Sequence, residues 1–190
     1  MRKRAGRRGT WAGAAWWIGL VLVAAAPGCR EAPAEKAAGP QTPAGGPVVD
    51  LDGLKQAVAG YRGKVVYVDF WATWCGPCVK GLPELSRLQD RYGPRGLQVV
   101  TVSFDEADHW AKKAVPVLNQ AGWRGPALIM KDKAAREAAI AWLARSWKGE
   151  LPARYLFNRE GEAVQEILGG DAGHSRVEGP IEELLGPAGG

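Results

Sequence analysis

The chain has 190 residues and a formal net charge of +5, which is enough for one domain with a buried core but short for two. Five of its 25 basic residues lie in the first ten positions, and beyond residue 28 the chain carries 20 basic and 20 acidic residues. A folded part without net charge lacks the basic surface that nucleic acids require, so we expect no nucleic-acid partner.

The N-terminus has the layout of an export signal. Basic residues up to Arg8 precede an apolar run from Trp11 to Ala26. The run has 16 residues, fewer than the roughly 20 that a membrane-spanning helix needs, so an uncleaved anchor is the weaker alternative. We therefore predict that residues 1–28 form a signal peptide and that the protein leaves the cytoplasm.

Cys29 follows the apolar run in the sequence AAAPGC, which resembles the lipobox of bacterial lipoproteins although Ala26 and Pro27 differ from its usual residues. The resemblance implies that a lipid on Cys29 tethers the chain to a membrane, and an unmodified thiol is the alternative. Residues 29–47 are rich in Ala, Pro and Gly and are predicted to form a flexible tether, because they offer little apolar surface to bury.

Helical and extended patterns alternate from Val48 onward. Leu51, Leu54 and Val58 recur at helical spacing, which predicts a short helix within 50–61. Continuous apolar runs rich in β-branched residues predict buried strands, and apolar stripes ended by Gly or Pro predict helices. The remaining elements are predicted as strand 64–71, helix 79–92, strand 97–104, helix 106–120 with Pro116 as a kink, strand 126–130, helix 132–147 capped by Asp132, two strands within 153–168 and helix 176–186.

This order of elements predicts one α/β domain over residues 48–190. Strands that alternate with helices favour a parallel sheet covered on both faces, and the late hairpin around residues 158–161 adds an antiparallel edge. We therefore expect a central mixed β-sheet flanked by helices.

The sequence WCGPC at 74–78 lies where a buried strand gives way to a helix. A cysteine at a helix N-terminus is favoured as a thiolate, so Cys75 is predicted to be the attacking thiol. Cys78 lies on the same helical face, three residues on, at a distance that a disulfide tolerates. Gly76 and Pro77 suit a tight entry into the helix.

Two other readings of the cysteine pair are a structural disulfide and half of a zinc site. A disulfide that closes so small a ring stabilises a fold little, because the constraint on the unfolded chain grows with loop length. A zinc site needs a second pair of ligands, but Cys29 lies on the predicted tether, and His109 and His174 lie in polar surroundings where we expect them to be exposed. We therefore predict redox exchange and no metal site.

The segment YVDFWATWCGPC resembles the thioredoxin superfamily, and the exported, tethered arrangement resembles its TlpA/ResA-like branch, over residues 50–186. The resemblance implies a thioredoxin fold that uses no cofactor, because the redox-active group is the Cys75–Cys78 disulfide. Pro152 matches the family's cis-proline, which implies that the Leu151 backbone pairs with a substrate strand beside Cys75. Trp74 matches a tryptophan at the rim of the site, with Trp71 in the core.

Asp69 lies in the strand six residues before Cys75. Burial raises the pKa of a carboxyl group, which lets it pass a proton near neutral pH. Thioredoxins proper have this aspartate, so the resemblance implies that Asp69 is the acid and base for Cys78, whereas the alternative is a solvated carboxylate at a strand end. Gly81 departs from the ResA-like pattern, in which a glutamate often stands at this position.

The predicted reaction is a thiol–disulfide exchange with disulfides of client proteins. Resemblance implies a periplasmic, lipid-anchored reductase that receives electrons from a membrane transporter of the CcdA/DsbD kind. It also implies cytochrome c maturation as one of several client systems. The alternatives are an oxidase that donates its disulfide and a copper carrier that uses Cys75 and Cys78 as soft ligands.

Overall fold

A computed structural model of the protein describes residues 47–169 and 174–187. The predicted signal peptide, Cys29 and the tether up to residue 46 lie outside the described residues. Within the described residues, no helix combines the length and the apolar character that crossing a membrane requires.

The described part of the chain forms six strands and five α-helices in an alternating order. They are β1 (Val48–Val49), α1 (Leu51–Ala59), β2 (Val65–Trp71), α2 (Gly76–Tyr92), β3 (Leu97–Ser103), α3 (Val115–Gln120), β4 (Ala127–Met130), α4 (Lys133–Leu143), β5 (Ala153–Phe157), β6 (Ala163–Leu168) and α5 (Ser175–Leu185). Aspartate side chains cap two of the helices, because Asp50 accepts from the Gly53 N–H and Asp132 accepts from the Ala135 N–H.

The strands form one mixed sheet in the order β1-β4-β3-β2-β5-β6. The first four of these strands are parallel, whereas β5 pairs antiparallel with both β2 and β6. Every residue of β2 is buried, as expected for a central strand covered on both faces. The predicted mixed sheet with an antiparallel edge is confirmed.

Helices cover both faces of the sheet, and β2 shows which helices lie on which face. Successive side chains of a strand point to opposite faces, so Tyr67 and Phe70 face opposite ways. Tyr67 contacts His174 at the start of α5, whereas Phe70 packs against Trp147 beyond the end of α4. Tyr92 of α2 hydrogen-bonds to two glutamates of α5, and α1 packs against α4. The helices α2 and α5 therefore share one face, and α1 and α4 share the other.

Two elements differ from the sequence predictions. The single helix expected over 106–120 is a 3₁₀ turn at Ala107–His109, a π turn at Trp110–Ala114 and then α3. Pro116 lies in the first turn of α3, directly after the π turn, and the backbone of Ala114 and Val115 before it is already helical, so the kink expected at Pro116 stays a prediction. The strand β1 was not predicted, because two residues are too short to show a pattern.

Candidate active site

The chain passes from β2 into α2 at the two cysteines. Cys75 is the N-cap residue of α2, and a disulfide joins it to Cys78 in the first turn, with 5.2 Å between their Cα atoms. The Cys78 N–H donates to Cys75 Sγ over 3.3 Å. In the reduced protein the same N–H and the positive end of the helix dipole would stabilise a negative charge on Cys75 Sγ.

The surface around the disulfide is open on the side of Trp74. The Trp74 side chain is 69% exposed, whereas Trp71 is fully buried, as expected from the sequence. A Cβ atom built on Gly76 would meet no other atom within 4 Å, so packing within the protein does not require glycine there. Pro77 follows Gly76 in the first turn of α2, where no N–H is needed.

The peptide bond between Leu151 and Pro152 is cis, as the resemblance implies. Phe70 near the end of β2 pairs with Ala153 at the start of β5. Pro152 therefore lies beside the end of β2, where the chain turns toward the cysteines. The Gly169 N–H donates to the Pro152 carbonyl over 2.9 Å. Within the described residues, no backbone hydrogen bond uses the N–H or carbonyl of Leu151.

Asp69 is buried in the middle of the sheet, so the alternative of a solvated carboxylate at a strand end is wrong. Burial raises the pKa of the Asp69 carboxyl from 3.8 to about 6, and the charge and hydrogen bond of Arg154 oppose this rise. The Arg154 Nε atom lies 3.2 Å from Asp69 Oδ1, and both side chains are almost fully buried. The carboxylate therefore has a buried counter-ion that the sequence analysis did not identify.

A second carboxylate, that of Asp105, fixes the loop that leads to the cysteines. Asp105 accepts hydrogen bonds from the Thr73 N–H at 2.9 Å, the Thr73 hydroxyl at 2.7 Å and the Ser103 hydroxyl at 2.7 Å. It lies two residues after the end of β3, so the sheet holds it in place. Asp105 thereby ties the turn two residues before Cys75 to the end of β3.

A groove of about 420 Å³ runs beside Trp74. Its apolar wall includes Trp74, Phe104 and Ile140, and its polar wall includes Arg136 and Lys148. The Arg136 guanidinium donates to the carbonyls of Phe104 and Asp105, so one wall of the groove is fixed to the end of β3. The groove offers an approaching protein segment apolar area and hydrogen-bonding groups beside Trp74, the residue that precedes Cys75.

The two histidines lie on different elements, His109 in the 3₁₀ turn after β3 and His174 at the start of α5. His174 was expected to be exposed, but it is 3% exposed, because it packs between the sheet and α2 at the start of α5. The Tyr67 hydroxyl lies 2.8 Å from its Nδ1, and its Nε2 lies 3.2 Å from the Gly81 carbonyl oxygen of α2. In residues 47–169 and 174–187, no three His, Cys, Asp or Glu side chains are grouped so that they could hold a metal ion.

Sequence reasoning named the two cysteines, Asp69 and Pro152, and the fold brings these residues together where β2 ends, β5 begins and α2 starts. It missed Arg154 and Asp105. The signal for Arg154 is a charged residue within the apolar run ARYLF, and the signal for Asp105 is a carboxylate immediately after a buried strand. Neither signal identifies the partner, because the partner lies on another segment.

Comparisons with known proteins agree with this geometry. The redoxin family profile matches residues 34–175. A thiol-disulfide oxidoreductase ResA from Bacillus anthracis is 30% identical over 137 residues, which cover 72% of this chain and 73% of that protein. A solved structure from Chlorobium tepidum, assigned as a thiol:disulfide interchange protein DsbE, has a TM-score of 0.55 at 26% identity and covers 68% of this chain and 85% of its own. A thioredoxin family protein from Chlorobium tepidum TLS shares the fold. Its TM-score is 0.55 at 21% identity, and the match covers 67% of this chain and 84% of its own.

Proposed function

Because the chain belongs to the redoxin family and is a thiol–disulfide oxidoreductase with a thioredoxin-like fold, we propose that it reduces disulfides of client proteins outside the cytoplasm. The observation that carries the proposal is the closed Cys75–Cys78 disulfide at the start of α2, which follows the same end of β2 that cis-Pro152 lies beside. A pair that closes within one helical turn can form and open without a change of fold.

The reaction runs in two exchange steps. The Cys75 thiolate attacks one sulfur of the client disulfide, so a mixed disulfide forms and the other client sulfur leaves as a thiolate. Asp69 then accepts the proton of Cys78, and the Cys78 thiolate attacks Cys75 Sγ, which releases the second client thiol. Two electrons pass from the dithiol to the client, and the Cys75–Cys78 disulfide remains.

The client is proposed to bind as an extended strand beside Pro152. The unused backbone groups of Leu151 support this mode, because an extended client segment can pair with a free backbone N–H and carbonyl. Trp74 and the adjacent groove offer area for the client side chains that flank its cysteine. Apocytochrome c before haem attachment is one client of suitable chemistry, and proteins of copper-site assembly are another.

Electrons for a reductase outside the cytoplasm have to cross the membrane, because disulfides persist there. We propose a membrane transporter of the CcdA/DsbD kind as the donor. The Gly76-Pro77 pair between the cysteines resembles that of reducing thioredoxins and supports this direction of electron flow.

The reduction potential of the Cys75–Cys78 pair tests this direction. We expect a value near that of thioredoxin, about −270 mV, when the full-length protein is equilibrated with dithiothreitol buffers and its thiols are counted by alkylation. A value near about −120 mV would make the protein a disulfide donor and overturn the proposal. Copper that stays bound through purification, together with a dithiol that does not react with disulfides, would favour the carrier instead.

The proposed location, at the periplasmic side of a bacterial envelope with a lipid on Cys29, has its own test. We expect the wild-type protein to incorporate labelled palmitate and to sediment with membranes, whereas Cys29→Ser does neither, because serine offers no thiol for the lipid. Cys78→Ser is the matched control, since it also loses one thiol but should keep the label. Label in Cys29→Ser would contradict the lipid assignment.

A further inference from the structure

We propose that Arg154 is a positioning residue for thiol–disulfide exchange, which holds Asp69 ionised on the sheet face under α2 and links it to the Pro152 loop. The proposal rests on the role given above to Asp69 as the proton acceptor of Cys78. It adds Arg154 of β5, which acts on the reaction through Asp69 by keeping the carboxylate charged and in position.

The two side chains are direct neighbours across the sheet. Asp69 of β2 and Arg154 of β5 are opposite each other in the antiparallel register, so both point to the same face. Arg154 Nε donates to Asp69 Oδ1 over 3.2 Å, and each residue is 2% exposed. A buried arginine and a buried carboxylate in contact form a pair in which neither charge can be removed without leaving the other uncompensated.

This pair lies on the sheet face that carries the cysteines' helix. Tyr67 precedes Asp69 by two residues in β2 and therefore points to the same face. That face is covered by α2 and α5, since Tyr67 contacts His174 at the start of α5 and His174 contacts the Gly81 carbonyl of α2. The ion pair thus lies on the side of the sheet where Cys78 is buried.

Arg154 also connects the carboxylate to the loop proposed to bind the client. Its Nη1 lies 3.5 Å from the Gly169 carbonyl oxygen, and the Gly169 N–H donates to the Pro152 carbonyl over 2.9 Å. One guanidinium therefore contacts both the proposed proton acceptor and the backbone that holds cis-Pro152 in place.

The charges around Asp69 explain why an arginine matters here. Burial raises the pKa of Asp69 to about 6 even though Arg154 lowers it, so the carboxyl is mostly ionised at pH 7 with Arg154 present. Among the described residues, the other titratable groups on this face include Tyr67, whose pKa burial raises well above its ordinary value, His174 at the start of α5, and Cys78 of α2. Arg91 and Tyr92 of α2 also lie on it, paired with Glu178 and Glu182 of α5. Without Arg154 the Asp69 pKa rises further, so more of the carboxyl is protonated at pH 7 and less of it can accept the Cys78 proton.

The test is the pH dependence of the second exchange step in the full-length protein. The reduced protein is mixed with glutathione disulfide between pH 5 and pH 9, and the loss of the glutathione adduct is followed by acid quenching and mass spectrometry. In Arg154→Met we expect the midpoint of this profile to rise by about one pH unit or more. A rise of one unit from about 6 makes the step roughly tenfold slower at pH 5 and roughly twofold slower at pH 7. Arg154→Lys restores a charge and should recover part of the rate.

Two further variants separate this role from a merely structural one. Asp69→Asn should remove the inflection from the pH profile of the second exchange step. Arg154→Met added to Asp69→Asn should not shift that profile further, because no carboxylate remains whose pKa Arg154 could lower. The double variant also avoids an unpaired buried charge, so it serves if Arg154→Met alone does not fold. Arg176→Met is the matched control, since Arg176 donates to the same Gly169 carbonyl and has no ion pair with Asp69.

The proposal would be overturned if the pH profile of Arg154→Met superimposed on that of the wild type. It would also be overturned if Arg154→Met shifted the profile equally in the Asp69→Asn background. An oxidising potential of the Cys75–Cys78 pair would instead overturn the proposed direction of electron flow and leave this test intact, because the exchange step is measured directly.

Discussion

Cys75→Ser will reduce disulfide exchange to the uncatalysed rate, whereas Cys78→Ser will accumulate mixed disulfides with client proteins. Cys75 is the N-cap residue of α2, where the Cys78 N–H reaches its Sγ, and it is 6% exposed compared with 2% for Cys78. An incoming disulfide therefore meets Cys75 first, and Cys78, which bonds to Cys75 in the structure, is placed to release the resulting adduct. Serine keeps the size of the side chain but supplies no thiolate at neutral pH.

The measurement has a purified and a cellular part. Reduction of insulin by dithiothreitol should be accelerated by the wild-type protein and not by Cys75→Ser. In cells, Cys78→Ser should migrate on non-reducing gels as adducts that dithiothreitol dissolves, and mass spectrometry of these adducts identifies the clients. The variant with both substitutions is the control and should capture nothing. Adducts on Cys75→Ser, with none on Cys78→Ser, would reverse the order of attack.

Trp147→Ala will destabilise the fold by about 3–5 kcal/mol, the usual loss when a buried tryptophan is truncated. Trp147 is 2% exposed and packs against Phe70, Phe104 and Tyr155, with ring centroids 5.0, 5.6 and 5.6 Å away. Its Nε1 also donates to the Glu150 carbonyl over 2.7 Å, one residue before Leu151. The substitution therefore removes core packing and frees the chain that leads to cis-Pro152.

Denaturant unfolding at pH 7, with the disulfide intact, measures this loss. Trp74→Ala is the matched control, because it removes the same side chain from a 69% exposed position and should change the free energy of unfolding by no more than about 0.5 kcal/mol. Trp147→Phe should fall between the two, since it keeps aromatic packing and loses the hydrogen bond. A loss below about 1 kcal/mol for Trp147→Ala would show that the aromatic cluster repacks around the gap.

Much of the fold was predictable because its signals are local. The apolar, β-branched run at 64–71 has the length and composition of a buried strand. The leucines in 79–92 recur at helical spacing and form the apolar face of a helix that packs on the sheet. The Asp132 side chain acts on an N–H three residues away, so its role as a cap could also be predicted from sequence. The division of 106–120 into a 3₁₀ turn, a π turn and α3 was not predictable, because residue spacing alone does not distinguish a π turn from an α-helix.

The sequence by itself determined the chemistry of this protein. Two thiols three residues apart, at the point where a strand gives way to a helix, specify a reversible disulfide, since their reactivity depends on one helical turn and its N-terminus. The matching segment around Pro152 extended that prediction to the cis peptide bond.

Only the tertiary structure decided the electrostatic surroundings of that chemistry. Asp69 and Arg154 are 85 residues apart, and Tyr67 and His174 are 107 apart. Strand register and helix packing bring them into contact, and neither leaves a periodic signal in the sequence. A buried charge is stable only beside a partner, so the state of Asp69 depends on which residue the fold places opposite it. That residue is Arg154, and its position follows from the antiparallel pairing of β2 with β5.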